Sequence, residues 1–333
     1  MTKRDAILNG IARAAELHHQ LGFREQLKDG SRPMDVFAAI EALRIMVLFR
    51  PLDGLLGAYV PTPNSAGMLV TTLRDHHVQR FTAAHELGHH VLQHRTVSVD
   101  INVGYVGRGE KTGYDEQELE ADSFAGEFML PKWLIVAHAR RQGWGVVELR
   151  RPEIVYQLSL RLAASYQATC FALASASLLT QREAGALAAK APKESKQRAM
   201  YDVVPSSWHQ DVWVLSDRDK GAQLLGSPED FVVLNLEEHL AGGYEWGIEP
   251  VPPAVLEVRK DDRVEPSDDS LGGTVTRRVV VQGGAAPSRT TLRLEERRPW
   301  EGSDSALNSL EFKLALLGKE PVGLLRAERL MAA

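Results

Sequence analysis

Phe81-Thr82-Ala83-Ala84-His85-Glu86-Leu87-Gly88-His89-His90 is the stretch around which the rest of the chain is arranged. It contains His-Glu-x-x-His. A helix over 78–94 places His85 and His89 one turn apart on the same face. Two imidazoles on one face can hold one zinc ion. Glu86, beside the first of them, can then act as general base toward water. Chance alone yields this five-residue pattern in roughly a few per hundred chains of this length, so its meaning depends on its surroundings. The bland alternative is a surface helix with two solvated histidines.

A site of two histidines and a glutamate takes its carboxylate from another segment. The histidines also need an acceptor that fixes their tautomer. Glu118-Leu119-Glu120-Ala121-Asp122-Ser123-Phe124-Ala125-Gly126-Glu127-Phe128-Met129-Leu130-Pro131 offers both. Glu118 and Asp122 are four apart, so a second helix can present both to the first. Glu118 reads as the third zinc ligand and Asp122 as the acceptor from one histidine. Glu120 points about 200° from Glu118 at about 100° per residue, so the two do not share the metal. Glu120 is the alternative third ligand. His90 and His94 read as solvated or supporting residues, because three protein ligands complete a catalytic zinc site.

Taken together, these two motifs resemble the ImmA/IrrE family of bacterial metallopeptidases, across about residues 30–180. The Glu-x-x-x-Asp arrangement is similar to that of the gluzincins. The resemblance implies a zincin-like fold, a Zn2+ cofactor and site-specific endopeptidase activity. It implies a regulatory substrate, typically a helix–turn–helix repressor encoded nearby, whose cleavage switches on a stress, mobile-element or phage-defence response. Some members of the family respond to DNA damage or single-stranded DNA, which brings in a single-stranded DNA activator.

The bounds are compatible with this. At 333 residues the chain has room for two domains. Hydrophobic residues make up 44 % and charged residues 25 %, as in globular proteins. A net charge of −5 and a pI near 6.1 argue against a general nucleic-acid binder. One cysteine, Cys170, excludes an intramolecular disulfide. The first ten residues lack the apolar core of a signal peptide, and no apolar run of about 18 residues suggests a membrane span. A soluble cytoplasmic protein without a membrane partner is expected.

Before the motif, residues 3–28 read as a helix, with Ile7, Ile11, Ala14, Leu17 and Leu21 at helical spacing. A turn at Asp29-Gly30 and a helix over 35–43 follow. Short apolar runs at 45–49, 55–60 and 67–72 read as three strands. Helix, sheet and His-Glu-x-x-His helix in this order is a zincin layout. The strand at 67–72 is either a sheet edge to which a substrate peptide could add or an ordinary sheet strand. Residues 95–114 read as a loop over the cleft, where Tyr105 and Tyr114 are candidate transition-state stabilisers or ordinary loop aromatics. Helices are expected over 133–141 and 152–179. The second contains a helix–turn–helix-like segment, but 165–173 has no basic residue, so it reads as a packing element. Cys170, amid Phe171 and Leu173, reads as a buried small hydrophobe.

Residues 183–205 are polar and charged and read as a linker between a peptidase-like domain, 1–182, and a second domain, 206–333. The second domain has about seven short strands with turn signals: 212–215, 231–236, 244–249, 255–259, 274–282, 290–296 and 309–317. They argue for an antiparallel β-sandwich, which makes the whole chain α+β. Three of its loops are Gly242-Gly243-Tyr244-Glu245-Trp246, Leu271-Gly272-Gly273-Thr274 and Arg297-Arg298-Pro299-Trp300-Glu301. In order and spacing they resemble the chagasin-type inhibitors of papain-like cysteine peptidases, across about residues 208–325, and the resemblance implies that the sandwich is immunoglobulin-like. Tyr244, Trp246, Gly272, Gly273, Arg298, Pro299 and Trp300 are therefore the candidate binding-loop residues. The family usually carries Asn-Pro-Thr-Thr before Gly-Tyr, whereas this chain has His239-Leu240-Ala241-Gly242. That departure favours a different protein-binding role over cysteine-peptidase inhibition as such; the remaining alternative is that Tyr244, Trp246 and Trp300 serve the sandwich core and the loops are inert.

Three functions remain to be weighed. The first is a zinc endopeptidase with Glu86 as its base. The alternative is a protein-binding regulator whose sandwich recognises a partner, such as a cysteine peptidase, and whose zinc domain is structural. Glu86 argues for the first, since a structural site has no use for it and usually has four protein ligands. A transcription factor is the weakest reading, for want of basic residues on the helix–turn–helix-like segment.

Overall fold

A computed structural model describes residues 2–61, 66–94, 98–100, 116–264, 275–301 and 306–325, with 98–100 described by backbone alone. Helix α1 (Lys3–Gln20) starts at a capping box in which Thr2 and Asp5 satisfy each other's backbone N–H groups. It buries Ala6, Gly10, Ala14 and Leu17 on one side. The helix expected to run to residue 28 breaks at Gly22, whose φ of 68° suits glycine, and resumes as α2 (Phe23–Gln26). Helix α3 (Val36–Ala42) is capped by the Asp35 carboxylate, which accepts from Phe37 and Ala38.

Strands β1 (Met46–Arg50), β2 (Gly57–Pro61) and β3 (Ala66–Thr71) follow, then α4 (His76–Val91) and β4 (Ser98–Asp100). The sheet order is β13-β1-β3-β2-β4, with β13 (Gly323–Leu324) arriving from the far end of the chain. β3 is parallel to β1 on one side and antiparallel to β2 on the other. Of the two readings of residues 67–72, the ordinary sheet strand holds and the free edge for a substrate strand does not, because both hydrogen-bonding sides of β3 are taken.

Helices α5 (Glu116–Met129), α6 (Lys132–Gln142), α7 (Pro152–Arg161) and α8 (Tyr166–Ser175) complete the helical layer. The helix expected over 152–179 is two helices, separated by Ala163 at φ 50° and restarted by the Ser165 cap. In this helix–turn–helix-like segment Tyr156, Leu158, Leu160, Arg161, Tyr166 and Cys170 are all buried, as a packing element requires. The stretch expected to tether the domains is folded into α9 (Gln181–Ala188) and α10 (Pro192–Met200). Tyr166 Oη donates to the Leu187 carbonyl at 3.1 Å. The Lys196 ammonium lies 3.0 Å from the Asp211 carboxylate.

The second half is a sandwich of two four-stranded sheets. One runs β5 (Val212–Leu215), β7 (Phe231–Glu238), β10 (Val275–Gly283), β9 (Leu256–Val264). The other runs β6 (Gln223–Gly226), β12 (Asn308–Leu316), β11 (Ser288–Arg297), β8 (Glu245–Ile248). The pairing is mixed rather than purely antiparallel, since β5 lies parallel to β7 and β6 parallel to β12. In β11, Leu292 and Leu294 point into the core while Arg293 and Glu295 face solvent, the period-two signature of a half-buried strand.

The helical and sandwich halves share one buried cluster, which runs from Leu17 and Phe128 through Leu160 to Trp213, Leu292 and Phe312. Polar contacts cross the same junction. Arg161 and Asp219 form an ion pair with side chains 4 % and 1 % exposed. Near the C-terminal end, β13 pairs with β1 in register Leu48↔Leu324. The Gln79 amide brackets Glu320, donating to its carbonyl at 3.0 Å and accepting from its N–H at 2.6 Å. Among the described residues no helix is long and apolar enough to cross a membrane.

Candidate metal centre and loop cluster

The Asp75 carboxylate accepts from the Val78 N–H and starts α4, so the helical period delivers His85, Glu86 and His89 inward, 1 %, 0 % and 1 % exposed. Gly88, inside the motif, lets α5 come close: a Cβ there would lie 3.1 Å from Ala121 Cα. Glu118 and Asp122, one turn apart on α5, flank that contact. Nε2 of His85 and of His89 are 3.0 Å apart. Glu118 places Oε2 3.3 Å from the first and Oε1 3.5 Å from the second. Asp122 Oδ1 sits 2.9 Å from Nδ1 of His85.

These separations suit a metal. A tetrahedral zinc with bonds of about 2.0–2.1 Å spaces its ligand atoms about 3.3 Å apart. His85, His89 and Glu118 could hold one, and two histidines with one glutamate are the kind of donor set that catalytic rather than closed structural zinc sites use. With the Nδ1 of His85 donating to Asp122, the Nε2 lone pair of His85 faces the Nε2 of His89, and a cation between them removes their repulsion. Burial, and then the neighbouring His85, hold His89 well below the usual imidazole range, so the ring is neutral, the form that binds metal.

Glu86 lies under β2. A Cβ at Gly57 would stand 2.5 Å from Glu86 Oε1 and 2.5 Å from Thr82 Cγ2, so glycine makes the room for the carboxylate. Tyr59, from the same strand, stacks on His89 at 6.3 Å and 11°, and its hydroxyl lies 3.2 Å from Nδ1 of His90. Neither residue stood out in the sequence. Glu120, the alternative ligand, turns away from His85 and His89: its Oε2 is 2.9 Å from Nε2 of His94. The Nδ1 of His94 is 2.8 Å from Nδ1 of His89, so His94 supports the site and is not solvated. Tyr105 and Tyr114 lie outside the described residues.

On the sandwich, the 239–244 and 297–301 loops are knitted into one tip. Buried Glu296 accepts from the His239 backbone N–H at 2.9 Å, lies 2.8 Å from its ring and accepts from Asn308 at 2.6 Å. Arg298 Nε donates to the Gly242 carbonyl at 2.9 Å, and its guanidinium lies over the Tyr244 ring at 4.6 Å. The Trp300 indole packs over Gly243, where a Cβ would meet it at 2.6 Å, yet Trp300 remains 72 % exposed. Pro299 is exposed beside it. Trp246, placed among the binding-loop residues from sequence, is instead 6 % exposed. It sits in β8, donates Nε1–H to the Glu237 carbonyl at 2.8 Å, and belongs to the core. Gly272 and Gly273 lie outside the described residues.

Residues 40–176 match the family described as IrrE N-terminal-like domain, of the peptidase M78 type, and residues 227–315 match the chagasin family of peptidase inhibitors. The chain joins an IrrE-like domain to a chagasin-family domain. Amoebiasin-2 of Entamoeba histolytica is 25 % identical over 122 residues, which is 36 % of this chain and 98 % of that protein. Solved structures also align with the chain, two of them as follows. One is the cysteine protease inhibitor EhICP2 from Entamoeba histolytica, 23 % identical, covering 33 % of this chain and 99 % of its own, with a TM-score of 0.30. The other is amebosin, 13 % identical, covering 32 % and 96 %, with a TM-score of 0.27. The IrrE-like domain carries the three-residue cluster, and the chagasin-family domain carries the aromatic tip.

Proposed function

We propose that this chain is a zinc-dependent endopeptidase with a chagasin-type arm that binds a protein partner. The observation that carries the reading is the convergence of His85, His89 and Glu118, whose ligand atoms lie within 4.8 Å of one another, beside a buried Glu86. Zinc, when bound, supplies Lewis acidity that acidifies water and polarises a peptide carbonyl. Glu86 takes the proton from the attacking water and returns it to the leaving amine. Asp122 holds His85 in the tautomer whose Nε2 faces the ion. The IrrE-like resemblance supports a regulatory protein as substrate, a helix–turn–helix repressor, and single-stranded DNA as an activating ligand.

The test pairs purified protein with the repressor-like product of a neighbouring gene, with and without single-stranded DNA. Cleavage by the wild type that is lost in Glu86→Gln supports the endopeptidase and identifies its substrate. Zinc-loaded protein that cleaves nothing under either condition moves the weight to a binding protein.

The second role rests on the tip. Trp300, packed over Gly243 in the loop that Arg298 ties to Gly242 and Tyr244, is a large exposed aromatic on a fixed base, which is the composition of a binding anchor. A papain-like cysteine peptidase is the partner suggested by the chagasin family. Trp300→Ala is expected to weaken inhibition of papain at least tenfold. If the wild type does not inhibit papain at micromolar concentration, that partner is excluded.

A further inference from the structure

The ring of His89 is the first member of a chain of polar contacts. Its Nδ1 is 2.8 Å from Nδ1 of His94; Nε2 of His94 is 2.9 Å from Glu120 Oε2; Asn9 Nδ2 donates to Glu120 Oε1 at 2.7 Å. His89, His94 and Glu120 are 1 %, 6 % and 6 % exposed, so water does not compete for these links. We propose that His94 and Glu120, anchored by Asn9, are positioning residues that fix the tautomer and ring orientation of His89 for zinc. The inference rests on the reading of His89 as a ligand.

The logic follows from which atoms can donate. A carboxylate only accepts, so the hydrogen facing Glu120 belongs to Nε2 of His94. A neutral imidazole carries one N–H, which makes Nδ1 of His94 the acceptor. The hydrogen between the two rings then belongs to Nδ1 of His89, and Nε2 of His89 presents its lone pair toward His85 and Glu118. The opposite order would put a hydrogen on Nε2 of His89, where the ion must sit, and would aim a lone pair at Glu120. Asp122 does the same for His85 in a single step. Two residues along α5, Glu120 faces about 200° away. It therefore needs His94 as a spacer to reach the second ligand.

Helix α1 closes the chain of contacts from outside the matched 40–176 segment. A Cβ at Gly10 would strike the Glu120 carbonyl and stand 2.9 Å from Phe124 N, so glycine is what lets α1 cross α5 this closely. That crossing is what brings Asn9 onto the Glu120 carboxylate. The N-terminal helix is thus part of the metal site, although it carries no ligand.

The experiment measures zinc affinity of the full-length apo-protein by competition with a chromophoric chelator, together with the apo Tm. Removing a partner that orients a ligand histidine typically weakens metal binding 10–100-fold. His94→Ala and Glu120→Gln are each expected to fall in that range with an apo Tm close to wild type. His94→Asn is expected to recover most of the affinity, because its Oδ1 replaces the Nδ1 acceptor of the histidine. Imidazole 15N NMR supplies a signature that a merely structural role would not move. His89 should be a single Nδ1–H tautomer in the zinc-free wild type and a mixture in Glu120→Gln. Should His94→Ala fail to fold, Glu120→Gln carries the test through its zinc affinity and the His89 tautomer. Zinc binding within twofold of wild type in Glu120→Gln and in a folded His94→Ala, with the His89 tautomer unchanged, overturns the inference and leaves the zinc reading intact. A wild type that binds no zinc overturns both.

Discussion

Replacing Asp219 with alanine should cost the protein about 3 kcal/mol, and the number follows from what the carboxylate touches. It accepts from Arg161 Nε at 2.9 Å and Nη2 at 2.8 Å, from Gln142 Nε2 at 2.7 Å and from the Ser216 N–H at 3.0 Å. With side chains 4 % and 1 % exposed, the pair sits in the junction between helices and sandwich, away from water. Breaking such a buried pair from one side costs about 3–5 kcal/mol, because a charge is left without its counter-ion. Arg161 keeps part of its shell: the carbonyls of Gln157 and Val214 accept from it, and the Trp144 ring lies 5.4 Å away. The lower end of the range is therefore expected, a loss of more than a hundredfold in the folding equilibrium. Urea unfolding read by tryptophan fluorescence and far-UV circular dichroism measures it. Both signals should shift together, since Asp219 joins the two halves. The double change Arg161→Met, Asp219→Leu should recover most of the loss, as buried pairs replaced on both sides often do. A loss under about 1 kcal/mol in Asp219→Ala, or a sandwich transition that does not move, would refute the reasoning.

Three further outcomes are expected. Gly57→Ala should lower peptidase activity while secondary structure by circular dichroism stays intact, because the new methyl group presses on Glu86 and Thr82; full activity would show that β2 yields freely. Buried His18, stacked on Phe128 at 5.0 Å, is held down to about 4 by burial, against the opposing pull of the Phe128 carbonyl. The unfolded chain titrates near 6.5, so it binds more protons between those values, and stability is complete above about pH 6.5 and lost as pH falls toward 4. This group alone accounts for up to about 2 kcal/mol between pH 7 and pH 5, a slope that His18→Gln should remove in urea titrations at the two pH values. Cys170 is 0 % exposed and burial pushes its thiol up to about 12, so Ellman's reagent should label it only in denaturant; labelling of the native protein at a rate near that of free cysteine would contradict the buried placement.

Much of the candidate metal site is legible in the amino-acid sequence, for a simple reason. His85 and His89 lie on one helix and Glu118 and Asp122 on another, and a single period of 3.6 residues decides which side chains share a face. The same period excludes Glu120 from the face of Glu118. Strand alternation announces the sandwich in the same local way, and the loop motifs announce its family. Other contacts follow no period. His94 comes after α4 has ended, beyond Gln93 at φ 58°, so no helical spacing links it to His89. Asn9 meets Glu120 from 111 residues away, by a helix crossing that depends on one glycine. Strand β13 is two residues long, too short to show a pattern, and its place beside β1 depends on which sheet edge the tertiary fold leaves unpaired. Trp246 and Trp300 look alike in their loops. Register separates them: Trp246 is opposite Glu296 in the β8–β11 ladder and turns inward, while Trp300 follows the end of β11 and stays at the surface. Contacts within one element follow from repeat geometry that any short window carries; contacts between elements follow from which surfaces remain to be covered once the whole chain has packed.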